Sequence, residues 1–315
     1  MKVRALTLAV APLIALWGTG AARAVSLYSQ NFESFSTAAG SVDGWWNYYG
    51  PGNTTGVFGV DGNGVNGSQS LYLNLDASAE VGTDWYFYAG VGRSDIASAG
   101  SIPAGTRPSD LKFSVALSPS NANDTTPLAI TLSQFNTTLN GSVWTMTWTP
   151  TVASTGFTTV AMTLDSGTDV PSDNVGGAAS VFDPTLPISI SAFTFNSADF
   201  PLAANVGIHI DNVNLYTLAP GDANGDDHVD LTDLSIVLNN FGSTSSLRSQ
   251  GNFDGASTID LTDLSDVLNN FGTITTPSAA GAVATVAPEP TSLAVLGAGS
   301  VLLLRRRMTG RGSRL

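Results

Sequence analysis

The chain of 315 residues contains no cysteine and only two histidines, His209 and His228. Without cysteine it has no disulfide framework, no thiolate zinc site and no cysteine nucleophile. Two histidines leave little basis for histidine-ligated metals or for histidine acid–base catalysis. These absences remove thiol chemistry and most imidazole chemistry from the functions open to the chain.

Basic residues are scarce in the middle of the chain. Between residues 25 and 287 only Arg93, Arg107, Lys112 and Arg248 are basic, against all but one of the 25 acidic residues. Such a surface repels nucleic acid and anionic lipid, and it attracts divalent cations. We therefore expect no nucleic-acid partner, although solubility alone is the simpler explanation for the scattered carboxylates.

Glutamate is also rare: Glu33 and Glu80 are the only two between residues 25 and 287. Glycoside hydrolysis needs two positioned carboxylates, one of them held protonated. No Gly-x-Ser-x-Gly nucleophile motif is present either. We expect no enzyme and name no catalytic residue, with a polysaccharide-degrading hydrolase as the alternative, since aspartates are plentiful.

Both ends of the chain have features of export signals. Residues 1–24 combine Lys2 and Arg4, an apolar run and a small-residue cleavage site that ends at Ala24, as a secretory signal peptide does. The C-terminal stretch starts with Pro288, Glu289 and Pro290, continues with an apolar run at 293–304, and ends with arginines at 305–307. That run is shorter than the ~20 residues that span a bilayer.

The stretch 288–315 resembles the PEP-CTERM sorting signal. The resemblance implies export to the cell surface or beyond it, transient membrane association through a short hydrophobic helix, and removal of the tail by an exosortase-type protease. Signal peptidase and that protease are the expected processing partners.

Residues 25–218 show short runs of β-branched and aromatic residues between turn residues, which predicts strands. In "VWTMTWT", Trp144, Met146 and Trp148 share one face, as in a half-buried strand. Nine strands at this spacing predict an antiparallel β-sandwich. The expected strands lie at 26–33, 70–76, 84–88, 111–117, 128–135, 143–149, 156–164, 188–196 and 206–218.

The first and last of these strands, "YSQNFE" and "GIHIDNVNLYTL", resemble those of jelly-roll carbohydrate-binding modules. The resemblance implies a structural calcium ion held by Glu33 and Asp211. The residues themselves are equally well explained by a surface glutamate and a β-bulge at Asp211.

Two aromatic clusters, "GWWNYYG" and "DWYFY", are the sequence candidates for a sugar-stacking surface. We expect Trp45 and Trp46 to lie in a glycine-bounded loop, and they form a candidate aromatic platform with Trp85. Polysaccharide is the ligand that such a platform implies. The alternative is that these rings belong to the core.

A segment near the C-terminus occurs twice, at 221–242 and 251–272. A calcium ion takes six to eight oxygens, which a twelve-residue loop supplies from positions 1, 3, 5, 7, 9 and 12. In the first copy every one of these positions offers oxygen. They are Asp222, Asn224, Asp226, the carbonyl of His228, Asp230 and Asp233.

The second copy offers a poorer ligand set and predicts a weaker calcium site. Its positions 1 and 5 are Asn252 and Ala256, so one charge and one side-chain oxygen are lost. The remaining ligands are Asp254, Thr258, Asp260 and Asp263.

A helix is predicted after each loop. Asp230 caps the first one, with Asp233 completing a capping box. The apolar residues of this helix recur at a helical period and predict one stripe that the other helix covers. They are Leu231, Leu234, Val237, Leu238 and Phe241.

A duplicated loop–helix unit resembles the type I dockerin domain. The resemblance implies two calcium ions and a cohesin-like partner. Positions 10 and 11 read Leu231-Thr232 and Leu261-Thr262, and so depart from the Ser-Thr recognition pair of cellulosomal dockerins.

The predicted architecture is mainly β: a jelly-roll-like antiparallel β-sandwich, then a small all-α dockerin-like calcium module, then the short hydrophobic sorting helix. The predicted function is calcium-dependent, non-catalytic binding at the cell surface, with a structural envelope or matrix protein as the alternative. The expected segments are 1–24, 25–218, 219–273, a linker at 274–287, and 288–315.

Overall fold

The computed structural model describes a β-sandwich followed by two α-helices. Of the predicted processing residues, Ala24 is the first residue that the structure describes, whereas Pro288, Glu289 and Pro290 lie outside the described residues. The described residues are 24–35, 42, 44–50, 55–76, 88–119, 128–138, 140–153, 155–164, 182–196, 205–245 and 247–275.

Eleven strands lie in this part of the chain. They are β1 Ser26–Gln30, β2 Trp45–Gly50, β3 Thr55–Asp61, β4 Ser70–Asp76, β5 Tyr88–Ala97, β6 Leu111–Pro119, β7 Leu128–Asn136, β8 Gly141–Trp148, β9 Thr158–Thr163, β10 Ile188–Asn196 and β11 Asn205–Thr217.

The strands pair into two antiparallel sheets. The first sheet has the order β3-β4-β11-β6-β9, and β1 pairs with the C-terminal half of β11. The second sheet has the order β2-β5-β10-β7-β8. The mainly β, antiparallel sandwich predicted from the sequence is therefore confirmed.

The core lies between the two sheets. In β8, Trp144 and Met146 are buried in it and Trp148 packs against it. The hydroxyl of Thr147, on the opposite face of β8, lies 3.0 Å from that of Thr131 on β7. The alternation predicted for this strand is thus confirmed, and it shows which face of the second sheet points away from the core.

Two strands, β2 and β3, were not predicted from the sequence. The aromatic run of β2 pairs with β5 rather than forming the predicted loop, and the glycine-rich β3 pairs with β4. Of the predicted strand 84–88, only Tyr88 lies in the described residues, as the first residue of β5. The flanking glycines suggested a loop, but aromatic side chains favour a strand once a pairing edge is present.

The two helices are α1, Leu231–Asn240, and α2, Leu261–Asn270. Before α1, Asp230 accepts a hydrogen bond from the backbone N–H of Thr232, while Asp233 accepts one from the N–H of Asp230. Asp260 and Asp263 repeat this arrangement before α2. The predicted capping box is confirmed, and both copies have one.

The two copies of the repeated segment pair with each other. The backbone after α1 pairs with Ile259 of the second loop, and the backbone after α2 pairs with Val229 of the first loop. Gly221 has φ 94°, and a Cβ atom there would lie 2.8 Å from the Cα atom of Val267 on α2. Each half therefore completes the other's packing.

The predicted apolar stripe of α1 is only partly buried. Val237 is in the small core with Val267, and Leu234 packs against it. Leu231, Leu238 and Phe241 are 68%, 54% and 45% exposed, so the prediction that α2 covers the whole stripe is wrong. Two ten-residue helices touch along one side only, and Val229 and Ile259 from the loops fill the space between them.

Candidate functional site

Trp46 lies on the face of the second sheet that points away from the core. Its strand neighbour Trp45 is buried, whereas Trp46 is 39% exposed. Trp46 pairs across the strands with Gly92, and a Cβ atom at Gly92 would collide with the indole ring. The glycine therefore lets the ring lie close against β5, a close approach that no larger residue allows.

Trp45 does not belong to a binding platform. Its ring centroid lies 5.5 Å from that of Phe32 and 6.4 Å from that of Phe193, inside the core. The prediction that Trp45 contacts sugar is corrected by this burial, because successive residues of a strand point to opposite faces. Trp85 lies outside the described residues.

Trp45→Ala is expected to destabilise the fold by about 3–5 kcal/mol, because it leaves a large cavity in the core. Urea unfolding followed by circular dichroism measures this loss. A variant as stable as the wild type would contradict the core position of Trp45.

In the first loop, the carboxylates of Asp222 and Asp233 accept hydrogen bonds from several backbone N–H groups. The two carboxylate oxygens of Asp222 accept from Gly225 and Asp227, at 2.7 and 3.1 Å. Asp233 accepts from Ala223 and Asn224 in addition to Asp230. Both carboxylates are fully buried.

The other side-chain oxygens of this loop point along the same turn. The amide oxygen of Asn224 accepts from the N–H of Asp226, and Asp226 accepts from the N–H of His228. Asp227, at loop position 6, has φ 73°, the left-handed conformation that this position requires. The backbone thus adopts a tight acidic loop directly before a helix.

Burial raises the pKa of Asp222 to about 6, and the charge of Arg248 offsets part of this rise. A buried carboxylate is costly unless a cation or hydrogen bonds compensate its charge. Within the described residues, however, no three acidic or histidine side chains form a group placed to hold a metal ion. Calcium binding at this loop therefore stays a prediction.

The second loop differs at its first position. Asn252 is fully buried, and its amide nitrogen donates to the carbonyls of Ser245 and Ala256 at 2.8 and 2.6 Å. Its amide oxygen accepts from the N–H of Gly255. At position 1 the second loop therefore has an amide that donates hydrogen bonds, where the first loop has the carboxylate of Asp222.

The later positions of the second loop keep their local bonds. Asp254 accepts from the N–H of Ala256, and Asp263 accepts from the N–H groups of Phe253 and Asp260. Thr258 forms a β-bridge with Thr244. Ser257, at position 6, lacks the left-handed conformation that Asp227 has in the first loop.

Glu33 and Asp211 come together beside the segment 64–69. Asp211 is buried at a register shift of β11 and accepts from the N–H of Val65 and the hydroxyl of Ser68. Burial raises the pKa of Asp211, and the charge of Glu33 adds to the rise. Glu33 is exposed and accepts from the N–H of Gln69.

The bulge that was the alternative explanation of Asp211 is therefore present. A calcium ion between the two carboxylates stays a prediction, since backbone and hydroxyl donors already satisfy several of their oxygens.

Sequence reasoning missed the residues that join the sandwich to the repeat. Arg248 is buried, and its guanidinium donates to the carboxylate of Asp110 and to the carbonyl of Asp222, each at 2.8 Å, and to the carbonyl of Ala219. Arg107 also donates to Asp110, at 3.0 Å. The scarcity of basic residues could have pointed to them. Of the four basic residues between positions 25 and 287, three lie at this junction.

Asp110 is the shared anion of this junction. Its burial raises the carboxyl pKa, but the hydrogen bond from Arg107 and the charge of Arg248 outweigh that effect and hold the pKa below its ordinary value. Asp110 therefore stays ionised between its two arginines.

No helix among the described residues is long and apolar enough to cross a membrane. The predicted sorting helix lies outside those residues.

No family model matches the chain, and no curated protein matches it. Among solved structures, the chain is similar to the family 11 carbohydrate-binding module of a cellulosomal cellulase of Clostridium thermocellum. The identity is 13% over 61% of this chain and 95% of that one, with a TM-score of 0.39.

The chain is also similar to two other solved structures. The family 30 carbohydrate-binding module of another cellulosomal cellulase of Clostridium thermocellum has 11% identity over 61% of this chain and 96% of that one, with a TM-score of 0.37. The CBM22-1 xylan-binding domain from Paenibacillus barcinonensis has 13% identity over 62% and 96%, with a TM-score of 0.35. TM-scores this low leave the ligand of this chain to be argued from its own residues.

Proposed function

We propose that the chain is a secreted, non-catalytic polysaccharide-binding protein whose repeat binds calcium at its first loop. The observation that carries the carbohydrate proposal is the exposed indole of Trp46, lying over Gly92 on the outer face of the second sheet. A ring held on a rigid sheet offers an apolar surface to the C–H face of a pyranose. Because the ring is already in place, little conformational freedom is lost on binding.

The same sheet also carries polar groups that suit a sugar. Thr131 and Thr147 bring their hydroxyls together on the strands β7 and β8, on the side opposite the core. Carbohydrate sites combine an apolar stacking surface with a few placed hydrogen-bonding groups that orient the ligand. The outer face of the second sheet offers both.

Trp46→Ala is expected to weaken binding of the best oligosaccharide by about tenfold or more, because it removes the stacking surface. That oligosaccharide is first identified by a glycan array probed with the full chain. Gly92→Ala should weaken binding similarly, because its Cβ atom displaces the indole while Trp46 itself remains. Titration calorimetry measures both.

The matched control is Gly62→Ala, where a Cβ atom meets no neighbour within 4 Å. This variant should bind as the wild type does. Wild-type affinity in Trp46→Ala would place the ligand elsewhere. A wild-type chain that binds nothing on the array would instead favour a structural role in the envelope or matrix.

The donor set of the first loop suits calcium. All of its ligand positions offer oxygen, which hard cations prefer, and His228 would bind through its backbone carbonyl and not through its imidazole. A bound calcium ion would supply the positive charge that the buried carboxylates of Asp222 and Asp233 need. The residues that would hold it are Asp222, Asn224, Asp226, the carbonyl of His228, Asp230 and Asp233.

Attachment to a partner through the repeat is the third part of the proposal. Leu231, Leu238 and Phe241 of α1 are exposed, as are their counterparts Leu261, Leu268 and Phe271 of α2. An exposed apolar surface on a small module is what a partner such as a cohesin-like domain would cover.

A further inference from the structure

The sandwich directs one basic side chain at each loop of the repeat. Lys112 of β6 contacts the first loop, and Arg107, just before β6, contacts the second. The two loops have the same length and lie before nearly identical helices. The two loops can therefore be compared by the positions that each basic side chain contacts.

Lys112 leaves the ligand positions of the first loop untouched. Its ammonium donates to the carbonyl of Gly225 at 2.7 Å and to the carboxylate of Asp227 at 2.6 Å. These are positions 4 and 6, which supply no ligand to a calcium ion. Tyr216 also donates to Asp227, so this carboxylate serves the contact with the sandwich.

Arg107 takes up oxygens at the start of the second loop. Its guanidinium donates to the amide oxygen of Asn252 at 3.1 Å, and to the carbonyls of Asn252 and Phe253 at 3.0 Å each. Asn252 stands at position 1, the position that Asp222 holds in the first loop. The planar fork of arginine reaches these three oxygens together, which a lysine ammonium on its flexible stem does not do.

We infer that the second loop binds the guanidinium of Arg107 and not a calcium ion. Arg107 supplies the positive charge at this loop and joins the sandwich to the repeat. We call the oxygens of Asn252 and Phe253 that accept from Arg107 the arginine socket. Position 1 presents an amide donor to the carbonyl of Ala256, and Ala256 brings no side-chain oxygen of its own. Arg107 in turn engages the amide oxygen of Asn252, so positions 1 and 5 of this loop have no side-chain oxygen left for a calcium ion. This replaces the weak second calcium site expected from the sequence.

The loss of ligands in one copy follows from this division of roles. The first loop keeps its carboxylates because its contact with Lys112 lies away from the ligand positions. The second loop holds a guanidinium, for which neutral oxygens suffice.

The test measures calcium stoichiometry and local hydrogen exchange in the full chain. Calorimetric titration should detect no calcium ion at the second loop, so Asp263→Asn should bind as many ions per chain as the wild type does. Arg107→Met should make amide exchange at Gly255 about tenfold faster, because the loop loses its three hydrogen bonds to the sandwich and opens more often.

Arg107→Lys should fail to restore slow exchange, since the fork is lost while the charge is kept. The matched control is Lys112→Met, which should leave exchange at Gly255 unchanged. The loss of one calcium ion per chain in Asp263→Asn would overturn the inference, as would unchanged exchange in Arg107→Met. If no calcium binds at all, the proposal for the first loop is wrong, and the exchange data alone decide the socket.

Discussion

Arg248→Met is expected to lower the free energy of unfolding by about 3–5 kcal/mol, the usual cost of removing one partner of a buried ion pair. Its guanidinium side chain is 5% exposed and bonds the carboxylate of Asp110 and two backbone carbonyls. It also lies 5.1 Å above the ring of Phe253. Methionine fills the space but donates no hydrogen bond, so the carbonyl of Asp222 loses the guanidinium and Asp110 keeps only Arg107 as its cation. For a domain of this size we expect Tm to fall by roughly 10 °C.

Thermal and urea unfolding measure this loss, with Ser249→Ala as the control. Ser249 is exposed and adjacent in sequence, so its replacement should change the stability by less than about 0.5 kcal/mol. Arg248→Lys should recover only part of the loss, because one ammonium does not reach all three acceptors. Wild-type stability in Arg248→Met would mean that the junction between sandwich and repeat contributes nothing to the fold.

Asp233→Ala is expected to abolish calcium stabilisation, whereas Asp263→Ala should leave it intact. The two aspartates occupy the same position in the two copies, and each accepts buried N–H bonds at the start of a helix. Each substitution therefore costs about 1–3 kcal/mol even in chelator, because donors lose their acceptor. Comparing the variants with and without calcium separates this structural cost from metal binding.

Calcium at a hundredfold excess over its Kd stabilises a one-site protein by about 2.7 kcal/mol. The wild type and Asp263→Ala should gain this amount on addition of calcium, and Asp233→Ala should gain nothing. Urea unfolding in chelator and in calcium measures all three. A gain in Asp233→Ala equal to that of the wild type would show that the ion binds elsewhere, for example between Glu33 and Asp211.

The contrast between Trp45 and Trp46 illustrates a limit of the sequence. The adjacent tryptophans are chemically identical, and flanking glycines predicted a loop for both. Pairing of β2 with β5 places one ring in the core and the other over Gly92. Which ring faces out depends on the register of the pairing, which a single-residue shift would reverse.

The local sequence patterns near the C-terminus were sufficient to predict the secondary structure of the repeat without tertiary information. The cap at Asp230 and the helix after each loop arise from interactions within a few residues, so composition and spacing predicted them. The burial of Leu231, Leu238 and Phe241 was predicted wrongly, because helical periodicity shows which residues share a face and not how much of that face a partner covers.

The sequence by itself determined the β-sandwich class, the two loop–helix units and the inequality of their loops, because alternation, capping and ligand spacing are properties of short segments. Only the tertiary structure decided which tryptophan is exposed and what the few basic residues do. Arg107 and Arg248 lie far apart in the chain, yet both bond Asp110. Their meeting depends on how the sandwich packs against the repeat, a long-range arrangement that no local pattern encodes.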